Sequence, residues 1–211
     1  MKPAPMDPTV FADCCGELAR LFGAPLERNE VAALIENGRF DALQTLARDP
    51  RHAIDLRGAL AAARAGGDVD AATSRLNAAF CRLFLGLGPV STTQPIESAH
   101  RGDGRLFQEP AGQMRDLLRA HDLVPAAGFA EPLDHLSVEL SLLEQFIRLE
   151  TSLVEVDEHA ATASLHRRLA EWTPSFAEAL GEHDGTGVYA ALARILVRLL
   201  EAGTSDIASA A

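Results

Sequence analysis

Between Glu131 and Leu140 the chain reads EPLDHLSVEL, which puts three carboxylates and a histidine within nine positions. Pro132 after Glu131 suits the first position of a helix, because the amide it lacks would have no acceptor there. Asp134 then falls in the first turn, where a carboxylate complements the positive helix end. Leu136, Leu140, Leu143 and Ile147 recur at helical spacing and form a stripe to be buried. His135 stands beside that stripe, with Glu131 four residues before it and Glu139 four after, so all three share an adjoining face. One chemistry open to such a group is acid–base transfer, with His135 as base and Asp134 or Glu139 as its partner. The other reading is structural: Asp134 caps its helix, and His135 is solvated or bonds loop carbonyls.

A second group precedes it, PIESAHR from Pro95 to Arg101. Ser98 near His100 or His135 lacks the Gly-x-Ser-x-Gly turn that presents a serine nucleophile. Glu97-Ser98 reads better as the opening of a short helical turn, with Arg101 pairing to Glu97 four residues on. Gly102-Asp103-Gly104 has no Gly-Lys-Ser/Thr and follows no strand, so it is not a phosphate loop. The cysteines are Cys14, Cys15 and Cys81. Their odd number, without CxxC spacing or clustered histidines, supports neither a disulfide framework nor a zinc site; Cys14 and Cys15 read as reduced core fillers.

The elements that must position these groups are helical. The 211 residues are 47% hydrophobic and 23% charged, rich in Ala, Leu, Arg and Glu, with few β-type runs. The formal charge of −11 argues against a nucleic-acid binder and favours a cationic or neutral partner. Helices are expected from Pro8 to Gly23, Arg28 to Glu36, around Phe40 to Leu46, and from Ile54 to Gly66. Asp68 caps a longer one reaching about Leu85, whose end, FCRLFLGLG, is apolar on more than one face. That implies either burial all round or an apolar patch for a partner. Gly86 to Gln108 holds four Gly and two Pro with no sustained period, a long connection and a candidate hinge. Helical spacing returns from Glu109 to His121, then from Glu131 to about Val156. It continues over Glu158–Glu171, Pro174–Glu182 and Val188–Ala202, with Gly203 onward frayed. The expected fold is all-α, about ten helices in two halves: residues 1–86, a hinge at 87–108, residues 109–203 and a tail at 204–211. The N-terminus has no apolar run fit for a secretory signal and no stretch is long enough to span a membrane, so the expected compartment is the cytoplasm.

Taken in order, FLGLGPV, PIESAHR with GRLFQEP, and EPLDHLSVEL resemble the TorD/DmsD-type chaperones, the redox enzyme maturation proteins. Ile96 and His100 stand where that family often has aromatics, and Phe80 where it often has tryptophan. The resemblance implies a cytoplasmic chaperone, not an enzyme, that binds the twin-arginine signal peptide of a molybdenum-cofactor oxidoreductase and keeps it receptive to its cofactor before export. It also implies a monomer or a domain-swapped homodimer, no resident cofactor, and in some members weak binding of guanine nucleotides or molybdopterin guanine dinucleotide. An Arg-Arg leader followed by an apolar stretch needs carboxylates beside an apolar groove. Asp134, Glu131, Glu139 and Glu97 are the expected carboxylates, with His135, Ser98, Pro95 and Arg101 shaping the site. Phe80, Leu83, Phe84, Leu87 and Ile96 are the expected groove. A non-catalytic acidic adaptor for another basic partner is the alternative.

Overall fold

In the computed structural model of the chain, the structure describes residues 6–38, 40–65, 67–87, 93–101, 106, 108–125, 130–152 and 159–207, the side chains of 204–207 excepted. Aspartates open three helices: Asp7 and Asp68 where the sequence pattern starts them, and Asp49 at Pro50, ahead of the start expected at Ile54. Asp7 accepts from Thr9 N ahead of α1 (Pro8–Gly23), Asp49 from Arg51 N ahead of α3 (Pro50–Arg64), and Asp68 from Ala71 N ahead of α4 (Val69–Phe84). α2 (Arg28–Asn37) starts with a Glu27/Glu30 capping box and ends at Gly38, whose φ of 65° is the left-handed cap glycine tolerates. Leu43–Arg48 forms a 3₁₀ helix, its entry held by Glu17 of α1, which accepts from Asp41 N and Leu43 N. After the central connection come α5 (Glu97–His100), α6 (Glu109–Ala120), α7 (Leu136–Thr151), α8 (His159–His183) and α9 (Val188–Ile207). Among the described residues this is an all-α fold of nine α-helices and one 3₁₀ helix.

Three expected boundaries need correction. α7 begins at Leu136 rather than near Pro132, because His135 is its N-cap in extended conformation and takes Ser137 N on its own side chain. Glu131 to Asp134 therefore lies in the turn before the helix, and Glu131, His135 and Glu139 share no helix face. The segment beyond Ser152, through which α7 was expected to continue, lies outside the described residues up to 158. α8 is a single helix through Pro174, not two. An interior proline costs about 3 kcal/mol, whereas Leu165, Leu169, Trp172, Phe176 and Leu180 form one buried stripe across it, each contributing roughly 1.5–3 kcal/mol. The stripe wins. α9 runs past Gly203 to Ile207 instead of fraying there: a Cβ on Gly203 would lie 2.7 Å from the Phe11 ring and 2.8 Å from His166, so glycine lets α9 close on α1 and α8. Residues 208–211 lie outside the described residues.

α1 and α7 run antiparallel, with Gly16 beneath the Glu144 carboxylate and Gly23 opposite Ser137. Arg148 of α7 ties Asp13 (2.6 Å) to Glu144 (2.9 Å) across that contact. α3 packs on α9, where Arg194 and Arg198 both grip Asp55. Helices from before the central connection are thus packed against helices from after it, around one core. Cys14 and Cys15 are free thiols in that core; burial pushes the Cys14 thiol up to about 12.

The apolar end of α4 belongs to this core. Phe84 packs against Phe80 (4.8 Å between ring centroids), Tyr189 (5.2 Å) and Phe22 (6.0 Å). Phe80, Leu83 and Phe84 are all buried, so the expectation that they line a peptide groove is corrected: the two phenylalanine rings pack on Phe22 of α1, Phe176 of α8 and Tyr189 of α9. Leu87, just beyond α4, is 62% exposed. Phe84→Ala should therefore cost about 3–5 kcal/mol, the usual result of emptying an aromatic site in a core. Urea unfolding would register this as a lower midpoint at unchanged slope; a midpoint equal to wild type would place the ring at a surface instead.

Candidate functional site

The two sequence groups meet through their backbones. Ile96 and His135 form an antiparallel bridge in which Glu97 N donates to Asp134 O (2.9 Å) and Leu136 N to Pro95 O (2.8 Å). The second bond satisfies one of the open amides at the start of α7. Beneath the bridge, Asp134 Oδ2 accepts from Ser98 N (3.0 Å) and from Ser98 Oγ. Because His135 does the capping of α7, Asp134 is released to cap the strap formed by residues 93–101. Thr93 N ties that strap back to the end of α4 through Leu83 O (2.7 Å). Asp134 and Ser98 are fully buried, and Asp134 Oδ1 has no hydrogen-bond partner among the described residues.

Glu97, the first residue of α5, is also fully buried, yet each of its carboxylate oxygens holds a guanidinium. Arg101 binds Oε1 at 2.6 Å, and Arg168 of α8 binds Oε2. Arg101, 42% exposed, reaches on to Glu171 (3.2 Å). Arg168 turns inward: its Nε lies 3.3 Å from Glu139 Oε1, while its other nitrogens donate to Pro110 O (2.7 Å) and Gln113 Oε1 (2.9 Å) of α6. Trp172 Nε1 donates to the second Glu139 oxygen (3.0 Å), and the Trp172 ring stacks on His100 at 5.5 Å. His100 in turn sets Nε2 2.9 Å from Gln94 O. Two buried glutamates thus face one inward guanidinium.

Burial raises the Glu139 carboxyl well above the ordinary range, and the neighbouring Glu97 charge adds to the rise. A hydrogen bond to Glu97 that only protonated Glu139 can donate acts the same way, while Arg168 and Trp172 oppose it. His135 goes the other way: burial pushes it down to about 4, against a smaller pull from Asp134. Its ring is neutral, and Nδ1 faces Ser137 N at 3.2 Å. That arrangement serves a cap rather than an acid–base exchange.

The structure therefore brings together Pro95, Ile96, Glu97, Ser98, Arg101, Asp134, His135 and Glu139. It leaves Glu131 exposed in the preceding turn, Leu87 exposed past α4, and Phe80, Leu83 and Phe84 in the core. Sequence reasoning missed Arg168 and the polar role of Trp172. The available signal was their i, i+4 spacing, an arginine flanking the apolar stripe of α8. Two cavities flank α7 instead: one of 270 Å³ between Leu123, Val124, Val138 and Leu142, the other of 480 Å³ beside Glu144, Arg148 and Leu149.

An all-α bundle organised in this way is shared with known proteins. A chain described as a redox enzyme maturation protein from Archaeoglobus fulgidus superposes with a TM-score of 0.57, covering 95% of this chain and 99% of that one at 16% identity, which shows the common fold. The chain belongs to the family whose model is described as nitrate reductase delta subunit, which matches residues 47–178. Among curated relatives, the chaperone protein TorD of Aliivibrio fischeri is 36% identical over 132 residues, 60% of this chain and 61% of that protein. TorD of Vibrio cholerae serotype O1 is 32% identical over 167 residues, 75% of this chain and 71% of that protein. The match to the Aliivibrio relative thus spans about three fifths of that protein's length. No helix among the described residues is long and apolar enough to cross a membrane.

The two pKa directions set opposite pH limits. His135 favours the fold above the ordinary histidine value of about 6.5, and its contribution is lost as pH falls from there toward its folded value. Glu139 favours the fold below the ordinary glutamate value of about 4.3, and its contribution is lost as pH rises through its elevated folded value. Glu139→Gln keeps an acceptor for Trp172 and a donor for Glu97 without the titration. Thermal melts at pH 6 and pH 8 should show a smaller loss at pH 8 for Glu139→Gln than for wild type; equal losses would mean that Glu139 is ionised in the fold.

Proposed function

We propose that this chain is a cytoplasmic maturation chaperone for a molybdenum-cofactor oxidoreductase and that it engages the enzyme's twin-arginine signal peptide before export. Family membership and the chaperone names of the TorD relatives support the class. The observation that carries the peptide reading is Glu97, one carboxylate that already engages two guanidinium groups. A site that holds Arg101 and Arg168 in this way has the chemistry for a pair of client arginines, since carboxylates match the guanidinium fork in both shape and charge. Arg101 is the surface member of the pair, so a client guanidinium exchanges with it first, guided by Glu171 and Glu131. Asp134 and Glu139 lie behind as further acceptors. Exposed Leu85 and Leu87 stand at the end of α4, where the apolar part of a leader would follow. The formal charge of −11 draws a basic peptide in.

Calorimetry with a peptide carrying Arg-Arg followed by an apolar run tests this reading. Binding should weaken about tenfold or more when Lys-Lys replaces Arg-Arg, because an ammonium cannot make the paired bonds. It should weaken again as salt shortens the reach of surface charge. Equal affinity for the two peptides, or none for either, would remove the peptide reading and leave the family membership standing.

A further inference from the structure

The groups best suited to receive a guanidinium, Asp134, Glu97 and Glu139, have no exposed surface at all. What covers them is the strap of residues 93–101, held by few backbone bonds and, near its outer end, by the His100 ring against Trp172 and Phe176. Among the described residues, the backbone bonds that tie it to its neighbours are Thr93 N to Leu83 O and the two across the Ile96–His135 bridge. Side chains add Ser98 on Asp134 and the ion pairs of Glu97. Arg101 leads outward to exposed Glu171, so it anchors the strap only to the surface. Arg168 is placed differently. It is 12% exposed and comes from the long helix α8. From there it holds Glu97 at the strap, Glu139 on α7, and both Pro110 O and Gln113 on α6. One guanidinium therefore pins both ends of the connection between α5 and α6 to the bundle.

The closed strap also leaves a carboxylate oxygen unpaired. Among the described residues Asp134 Oδ1 is buried without a donor, a cost that native structures seldom leave standing. A guanidinium or amide arriving from outside would satisfy it, provided the strap has moved. We propose that residues 93–101 form a strap that opens over Asp134, and that Arg168 is the positioning residue that latches it shut. Opening removes Ile96, Glu97 and Ser98 from the start of α7 and presents Asp134 and Glu97 to the client's arginines. This rests on the peptide reading for what enters, but the latch itself is a property of the chain alone.

Amide hydrogen exchange measures the latch without any peptide. In wild type, Glu97, Ser98 and Leu136, whose amides span the strap and α7, should exchange through a local opening that low urea barely affects. Core amides such as Leu18 and Leu196 should follow global unfolding. If the three amides share the urea dependence of the core, the strap does not open and the proposal is overturned. In Arg168→Met, the same three amides should exchange about tenfold faster or more and keep their shallow urea dependence, while core amides, which sense the lost contact only through global unfolding, keep their steep one. Unchanged strap amides, or strap amides that take on the steep urea dependence of the core, would make Arg168 a merely structural residue. Adding Glu97→Gln to Arg168→Met should give less than the sum of the two single increases, because the changes share the Glu97–Arg168 contact while each also loses contacts of its own. If Arg168→Met does not fold, the wild-type urea series decides. Faster strap exchange with no peptide binding would sink the peptide reading and keep the latch; tight peptide binding with an unopening strap would do the reverse.

Discussion

Two glutamates and one arginine, all shut away from water, govern the centre of this molecule. Glu97 and Glu139 approach from α5 and α7, and Arg168 enters between them from α8. Burying charge is costly unless it is paired and hydrogen-bonded, and a second carboxylate against a single inward cation would leave an excess. The excess is eased by an upward-shifted Glu139 carboxyl, which favours its protonated form, by the Trp172 indole, and by Arg101 reaching in from the surface. Everything near the site follows from that balance. The strap lies where Glu97 must lie, α6 begins where Pro110 O meets Arg168, and His100 stacks where Trp172 is already fixed.

The bundle around it is built to bring those elements within reach. α1 and α7 approach closely because Gly16 and Gly23 present no side chain to Glu144 and Ser137. α9 is drawn in by Gly203 on one side and by the grip of Arg194 and Arg198 on Asp55 on the other. The aromatic cluster of Phe22, Phe80, Phe84, Phe176 and Tyr189 fills the space between, and Phe176 also touches His100. The apolar end of α4 therefore supports the strap from within the core, through Phe84, Phe176 and His100, rather than offering a groove beside it.

Much of this was legible in the chain itself, for local reasons. The helix starts at Asp7 and Asp68, the stop at Gly38, the all-α class and the short turn at Glu97 with its Arg101 partner depend on contacts a few residues apart. The ordered motif pieces pointed to the family to which the chain belongs. The start of α7 was misplaced because Pro132 and Asp134 make a plausible helix opening, and only the strap gives Asp134 a better use. Pro174 was read as a break because proline is costly locally, while the stripe that outweighs it is buried against other helices.

Short-range chemistry thus determined which segments are helices, which residues cap them, and that the carboxylates of EPLDHLSVEL and PIESAHR carry the interest of the chain. Tertiary structure decided that Glu97 and Glu139 share one arginine seventy-one and twenty-nine residues away, that His135 is a neutral cap, and that Phe84 is core. Those outcomes turn on burial and on pairing across distant segments. Neither is encoded in the spacing of neighbours along the chain.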